Sequence, residues 1–383
     1  MTVSAIRIPF TGPLPPPIIV PPSASSVSGA IDAFLNFLTA PPSPYLRGID
    51  VGRNSQTVLL TGAGISVASG LSDYRGENGT YIRNKAYRPI YFHEFATRHE
   101  SRKRYWARSF VGWPGLLKAK PNSTHWAVRD LGLKGYISSV ITQNVDSFHQ
   151  IAHPEVPSVE IHGYLRSVVC LSCRNQFPRS EFQTSLEKLN PSWAEFLANM
   201  VASGALDTDK PEEQRQRGLK LNPDGDVELP EAPYSTFRYP SCPTCLDRPP
   251  RLQDGTSARV DVEKDGAWLP TSTAGILKPA VTMFGENIDS PVKVAAEEAI
   301  DDAGRLLVLG TSLATYSAWR LVERASKRGM PIGIINLGGV RNESIFLQEA
   351  DKGSDLPSRY TRCSIHSDSI LPSIASQLPR QSR

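Results

Sequence analysis

Short apolar runs rich in Val, Ile and Leu recur along the chain, and most end in Gly, Asn or Asp. Val58–Leu60 breaks into Thr61-Gly62-Ala63-Gly64-Ile65-Ser66. Tyr136–Ile141 runs into TQNVD at Thr142–Asp146, Leu306–Leu309 into GTS at Gly310–Ser312, and Ile332–Leu337 into NLG at Asn336–Gly338. Val281–Phe284 has the same apolar character. Runs this short, bounded by turn residues, read as buried strands. Between them lie stretches of helical periodicity: Ala30–Leu38, a segment through Leu131 with Ser123 or Thr124 as its cap, Val292–Asp302, Ala318–Lys327 and Ile370–Leu378. Strands alternating with helices predict an α/β fold, a Rossmann-like doubly wound parallel sheet. In such sheets ligands gather beyond the carboxyl ends of the strands, where these polar clusters fall.

Two stretches break the alternation. Residues 166–276 carry four paired cysteines and long polar segments, among them Asp207–Arg217, and predict a small module inserted between the two parts of the larger domain, 30–165 and 277–379. Within the first part, a cofactor-loop region of about 74–122 is polar and rich in aromatics. Residues 1–29 form the other exception. Pro13–Pro17 and Pro21–Pro22 exclude a helix there and suggest a mobile arm or targeting segment.

Cysteine usage sharpens the picture of the module. Five cysteines fall as Cys170-x-x-Cys173, Cys242-x-x-Cys245 and a single Cys363, which is metal-site rather than secreted-disulfide spacing. Four thiolates would hold one tetrahedral Zn²⁺ with no open coordination position, so the site is structural. The alternative is two unrelated or redox thiol pairs. A net charge of +4 permits an anionic ligand but gives no case for nucleic acid. The apolar runs are too short to cross a bilayer, so no membrane insertion is expected. The basic run Arg98–Arg108, with Tyr105 and Trp106 interleaved, reads as a solvated helix face over a buried aromatic stripe in preference to an anion surface.

Gly62 and Gly64 lack a Cβ, which lets a backbone turn sharply and approach a phosphate. The third glycine of a dehydrogenase fingerprint is missing, with Val67 in its place, and no acidic residue lies near 82–84 to hold an adenine ribose. A dinucleotide here would be held differently. Gln143, Asn144 and Asp146 stand together at one strand end, readable also as a helix-capping turn. His162 follows the short run Val159–Ile161 and precedes Gly163, which would present the ring at a cleft; a buried structural histidine is the other reading.

The ordered set of glycine loop, TQNVD, IHG at Ile161–Gly163, two C-x-x-C pairs, GTS and NLG resembles the sirtuin family of NAD-dependent protein deacylases. The likeness runs from about Ile31 to Leu378. RYWARSFVGWP at Arg104–Pro114, NPDGDV at Asn222–Val227 and GTSLATYSAWR at Gly310–Arg320 look like the mitochondrial sirtuin 4 type in particular. The resemblance implies NAD as cofactor, one zinc ion in a ribbon held by Cys170, Cys173, Cys242 and Cys245, acylated protein lysines as substrates, and the mitochondrial matrix as location. It implies that His162 is a general base on the NAD ribose with a pKa near neutrality, and that Asn144 orients ribose and water. Asp146 and the Val145 backbone would hold the nicotinamide amide. The glycine loop Gly62, Ala63, Gly64, Ile65, Ser66, the following Asp73, Tyr74, Arg75 and Tyr81, with Gln143, Gly310, Thr311, Ser312, Asn336, Leu337, Gly338 and Cys363, would line the cofactor. Ser72 stands where the family has a proline. Met283, Phe284, Gly285 and Glu286 would pair with an extended substrate, whose main chain adds as a strand. The implied reaction releases nicotinamide, free lysine and O-acyl-ADP-ribose. Mono-ADP-ribosyl transfer from the same cleft and a non-catalytic NAD-binding module are the alternatives. By the same subfamily resemblance Phe110, Gly112 and Trp113 would shape a wide apolar acyl channel that favours lipoyl or branched dicarboxylic acyl groups over acetyl.

Overall fold

The computed structural model describes residues 14–41, 43, 46, 56–77, 79–84, 87–206, 220–229, 231–350 and 359–381. In chain order the strands are Thr57–Thr61 (β1), Ile137–Thr142 (β2), Ser158–Glu160 (β3), Gly163–Cys170 (β4), Gln176–Pro178 (β5), Lys220–Leu221 (β6), Val227–Glu228 (β7), Leu277–Val281 (β8), Arg305–Leu309 (β9), Ile332–Ile335 (β10) and Tyr360–Cys363 (β11). Six of them form one parallel sheet in the order β11-β10-β9-β1-β2-β3. The chain builds outward from β1 to β3, then crosses back and builds outward from β9 to β11. The reversal lies between β1 and β9, and that switch point opens a crevice at the strands' carboxyl ends.

All residues of β1, β9 and β10 are buried, as strands covered on both faces must be. Side chains alternate between the faces. Leu59, Val140, Leu307 and Ile335 meet helices Val27–Thr39, Ser123–Leu133 and Ser367–Gln377 on one side. Val58, Leu60, Val308 and Ile334 meet helices Ser290–Asp301 and Tyr316–Lys327 on the other. The Ser26 hydroxyl caps the first helix by accepting from Gly29 N–H at 3.1 Å. Helix Ser123–Leu133 is capped by Asn122, not by Ser123 or Thr124: its Oδ1 accepts from Thr124 N–H at 2.9 Å. The Asn122 Nδ2 donates to the Ile65 carbonyl at 2.7 Å, so the cap also ties this helix to the glycine loop. Neither Ser nor Thr at the next positions could make both bonds.

The second body is the antiparallel sheet β5-β4-β8. Among the described residues between the cysteine pairs lie two α-helices, Arg179–Leu189 and Pro191–Ala202, and the β6–β7 hairpin. Helices Phe92–Thr97 and His99–Lys118 pack into the same core, where Phe95, Tyr105, Trp106 and Phe110 meet Val168, Phe182 and Phe237. The charged run Asp207–Arg217 lies outside the described residues, as do residues 1–13.

Several expectations are corrected. Residues 14–26 are no free arm: Val20 exchanges both backbone hydrogen bonds with Arg362 on β11, because its apolar side chain has a buried seat there. The expected strand Val281–Phe284 ends at Val281. Gly285 turns the chain at φ +81°, and Glu286 accepts from Met283 N–H at 2.8 Å, so 283–286 is a turn. The basic run is not a solvated face throughout. Arg102 is buried, donating to the Tyr239 hydroxyl at 2.7 Å and lying 4.6 Å from the Trp268 ring centre.

Candidate active site

The loops after β1, β2, β3, β9 and β10 converge on a cleft of about 510 Å³, closed on its far side by the turn after β8, helix His99–Lys118 and the β6–β7 hairpin. Gly62 and Gly64 act mainly on protein packing. A Cβ on Gly64 would stand 2.8 Å from the Gly310 carbonyl oxygen. Gly310 itself sits at φ +57°, where its own Cβ would meet Ile65 N at 2.6 Å. The glycines thus bring the β1 and β9 loops into contact at the switch point. Gly163 does the same beside His162: at φ +72° its missing Cβ leaves room for the Ala280 carbonyl of β8.

From the β2 end, Asn144 Nδ2 donates to the Gly62 carbonyl and to Ser66 Oγ, both at 3.2 Å. Ser66 Oγ donates onward to Asp146 Oδ2 at 2.7 Å, and Phe148 N–H donates to Asp146 Oδ1 at 2.9 Å. Burial raises the Asp146 carboxyl above its ordinary value, and these bonds partly oppose the rise. Gln143 is held from the β9 loop, donating to Thr311 Oγ1 and accepting from Thr315 Oγ1, each at 2.9 Å. Asn336 folds over its own loop, donating to the Leu337 carbonyl at 3.1 Å.

His162 lies between β3 and β4, where the two bodies meet. Its Nδ1 is 3.1 Å from the Gln143 carbonyl and its Nε2 is 2.8 Å from Ser317 Oγ. A carbonyl only accepts, so Nδ1 carries the proton and Nε2 is the free base. Burial holds the ring's pKa down to about 4, with the Gln143 carbonyl opposing weakly. That is well below the near-neutral value expected, and it leaves the ring neutral at physiological pH.

Most of the expected residues reach the cleft: Ala63, Asp73, Tyr74, Arg75, Val145, Ser312, Gly338, Met283 and Phe284 line it beside those already described. Others do not. Ile65 and Cys363 are buried in the sheet core, Cys363 because the inward register of β11 points it at the helices; Ile365, His366 and Ser367 line the cleft instead. Tyr81 stands behind Tyr74, ring centres 5.7 Å apart, with the Arg75 guanidinium 4.9 Å from its ring. Gly285 and Glu286 lie outside the lining, and Lys278, itself buried, pairs with Glu286 at 3.2 Å to fix the turn. Met283 N–H, Met283 carbonyl and Phe284 carbonyl already bond Glu286 and Phe92 within the protein.

Phe110 and Trp113 do not form a channel. Phe110 packs on Phe237 at 5.6 Å, and Trp113 lies under the Arg179 guanidinium at 4.7 Å. Gly112 faces the Gly225 carbonyl, whose oxygen a Cβ would meet at 2.1 Å. The same helix lines the cleft through Tyr105 and Arg108, which sequence reasoning did not assign. Arg108 pairs with Asp226 at 2.8 Å, both almost wholly buried, and Asp224 stands beside them. Burial, then the Asp226 charge, pushes Asp224 up to about 7. The signal was present in the RYWARSF and NPDGDV runs, but 118 positions separate the paired residues.

The four paired cysteines bring their sulfurs within 4.8 Å of one another, Cys170 to Cys245 at 3.5 Å and Cys173 to Cys242 at 3.7 Å. Tetrahedral Zn–S bonds of about 2.3 Å need sulfurs roughly 3.8 Å apart, so the donor set fits zinc. The cleft likewise fits a nucleotide: amides and hydroxyls at five parallel strand ends offer ribose and carboxamide partners, in a volume ordinary for cofactor sites.

Fold and site together define a nucleotide-binding α/β protein with a thiolate metal module forming one wall of the cleft. Residues 62–317 match the profile of the Sir2 family. The chain is 41% identical over 305 residues to the NAD-dependent protein deacylase SIR4 of Batrachochytrium dendrobatidis, covering 79% of this chain and 87% of that one. It is 35% identical over 294 residues to the NAD-dependent protein deacylase SRT2 of Arabidopsis thaliana, covering 76% and 69%. Among solved structures, a Sir2–p53 peptide–NAD⁺ complex aligns with a TM-score of 0.53 at 21% identity, covering 91% of this chain and 98% of that one, a likeness of fold. The chain belongs to the Sir2 family.

Proposed function

We propose that this protein is an NAD-dependent protein-lysine deacylase. The observation that carries the reading is His162: a neutral imidazole with a fixed tautomer, lining a cleft built from both bodies of the protein. When bound, NAD supplies a ribose carbon from which nicotinamide departs and at which the acyl oxygen of the substrate lysine attacks. His162 Nε2 then takes a ribose hydroxyl proton so that the hydroxyl oxygen can capture the acyl carbon. Asn144, fixed by Gly62 and Ser66, would hold the ribose, and Asp146 and Val145 would hold the carboxamide. The walls position the reactants and exclude water. Cys170, Cys173, Cys242 and Cys245 would hold one zinc ion that supplies no step.

Beside helix His99–Lys118 the cleft does not present the expected channel residues. Tyr105, Arg108, Asp224 and Asp226 take the place of the apolar channel, and Arg108 is already neutralised by Asp226. The test is turnover of one peptide bearing acetyl, butyryl, lipoyl, glutaryl or methylglutaryl lysine with NAD, products read by mass spectrometry. Nicotinamide and O-acyl-ADP-ribose in equal amounts are expected from at least one peptide. No nicotinamide from any of them removes the reading, and ADP-ribose attached to protein instead would redirect it to transferase chemistry. A mitochondrial location is proposed on the subfamily resemblance; a fluorescent fusion of residues 1–29 that stays outside mitochondria would end it.

A further inference from the structure

Residues 14–20 join the edge strand β11 at one end and reach the cleft at the other, where Leu14 is part of the lining. Their seat is built. Val20 N–H donates to the Arg362 carbonyl at 3.1 Å, and the Val20 carbonyl accepts from Arg362 N–H at 2.7 Å. The guanidinium of the same Arg362 is wholly buried and donates to the carbonyls of Asn336, at 2.8 Å, and of Gly338. One residue therefore holds both the N-terminal segment and the NLG loop.

Gly339 shows that segment and loop are fitted to each other. Its φ is not left-handed, so its backbone does not call for glycine. A Cβ there would stand 1.7 Å from the Pro15 carbonyl oxygen and 3.5 Å from Leu14 Cβ. The missing side chain leaves the place that the segment fills.

We propose that Leu14 is a wall of the nucleotide site and covers the adenosine half of NAD. The inference rests on the placement of NAD in the deacylase reading. The sheet order is β11-β10-β9-β1-β2-β3, and His162 follows β3. A dinucleotide with its nicotinamide ribose at His162 meets the β1 and β9 loops at the switch point and leaves its other end for the loops after β10 and β11. There the cleft is lined by Leu14, Ile335, Leu337 and Ile365, beside Asn336 and Ser367. A purine has two apolar faces, which such side chains cover. A cut between Leu14 and Val20 would part Leu14 from its anchor and lower nucleotide affinity.

The test is calorimetry on the full chain with ADP-ribose, which carries the adenosine half and no nicotinamide. Leu14→Asp should weaken binding about tenfold at an unchanged Tm, since Val20 and the wholly buried Ala24 anchor the segment. Leu14→Met keeps the apolar bulk and should stay within about twofold. Gly339→Ala should evict the segment at a similar cost. The two losses should not add in the double variant, because an evicted Leu14 has no contact left to lose. Wild-type affinity in Leu14→Asp, equal losses in Leu14→Asp and Leu14→Met, or additive losses in the double variant overturn the inference. So does a lower Tm at wild-type affinity, the mark of a purely structural Leu14. A wild type that binds ADP-ribose but turns over no acyl peptide would end the deacylase reading and leave the Leu14 assignment standing.

Discussion

His162 shows what a single residue type can and cannot announce. The IHG sequence marked it, but its usefulness comes from two partners far along the chain, the Gln143 carbonyl and Ser317. Replacing it by alanine should suppress chemistry far more than cofactor affinity, since a general base contributes about 10²–10⁴ in rate. Calorimetry with NAD beside a turnover assay measures the split, and near-normal turnover would take His162 out of the mechanism. Gln143, Asn144 and Asp146 were legible because a strand end puts consecutive polar residues at a cleft. Cys363, the last residue of β11, was not, because a strand's period of two decides between cleft and core and nothing in the residue order sets the register. The contact of Ser317 with the ring was not legible either, because a serine in the first turn of a helix carries no sign of a partner 155 positions away.

Helix His99–Lys118 is the element whose reading changed most. Its aromatics were expected to split between core and acyl channel, but Trp106, Phe110 and Trp113 all face core, and the cleft receives Tyr105 and Arg108. The spacing of three puts those two on one face. Which face would be inward depended on the β6–β7 hairpin, whose Asp226 meets Arg108 only after the intervening chain has folded. Asp226→Ala would leave a guanidinium buried without its carboxylate, so a loss of about 3–5 kcal/mol is expected. Arg104→Ala, which breaks a half-exposed pair with Glu228, should cost less than about 1 kcal/mol. Denaturant unfolding of the two variants separates them, and equal losses would mean that the buried pair is not structural. The zinc module invites a matching experiment. Strong chelation should lower Tm and abolish activity together, because β4 and β8 carry both the cysteine arm and a wall of the cleft. A metal-free protein that keeps both would break the assignment.

At the scale of the whole molecule, the parallel sheet could be read from strand–helix alternation because each buried strand is a continuous apolar run with a polar terminus. The packing between distant segments could not. One such feature contributes to the molecule's response to acid, beside His99 and His162, whose pKa values burial also lowers. His125, His149 and His153 form a buried cluster: His149 Nδ1 meets His153 Nε2 at 2.8 Å, and its Nε2 meets Thr61 Oγ1 at 2.9 Å, just below the site. The His125 ring centre is 5.2 Å from that of His149. Burial first, then mutual repulsion, lowers the His125 pKa to about 3 and that of His149 well below its ordinary value; burial also lowers His153. The unfolded rings titrate near 6.5. Below that pH the unfolded chain binds protons that the folded chain refuses, so stability is full above about 6.5 and falls as pH drops. Each ring contributes up to about 1.4 kcal/mol per pH unit, against a total stability of about 5–15 kcal/mol. Asp146 and Asp224 push the other way, since burial raises both, so the comparison must be internal. Tm measured from pH 7.5 to 5.0 should fall more steeply for the wild type than for His149→Gln, which removes the central ring. Parallel curves would show that the cluster is not protonated on unfolding in this range, and that acid acts elsewhere.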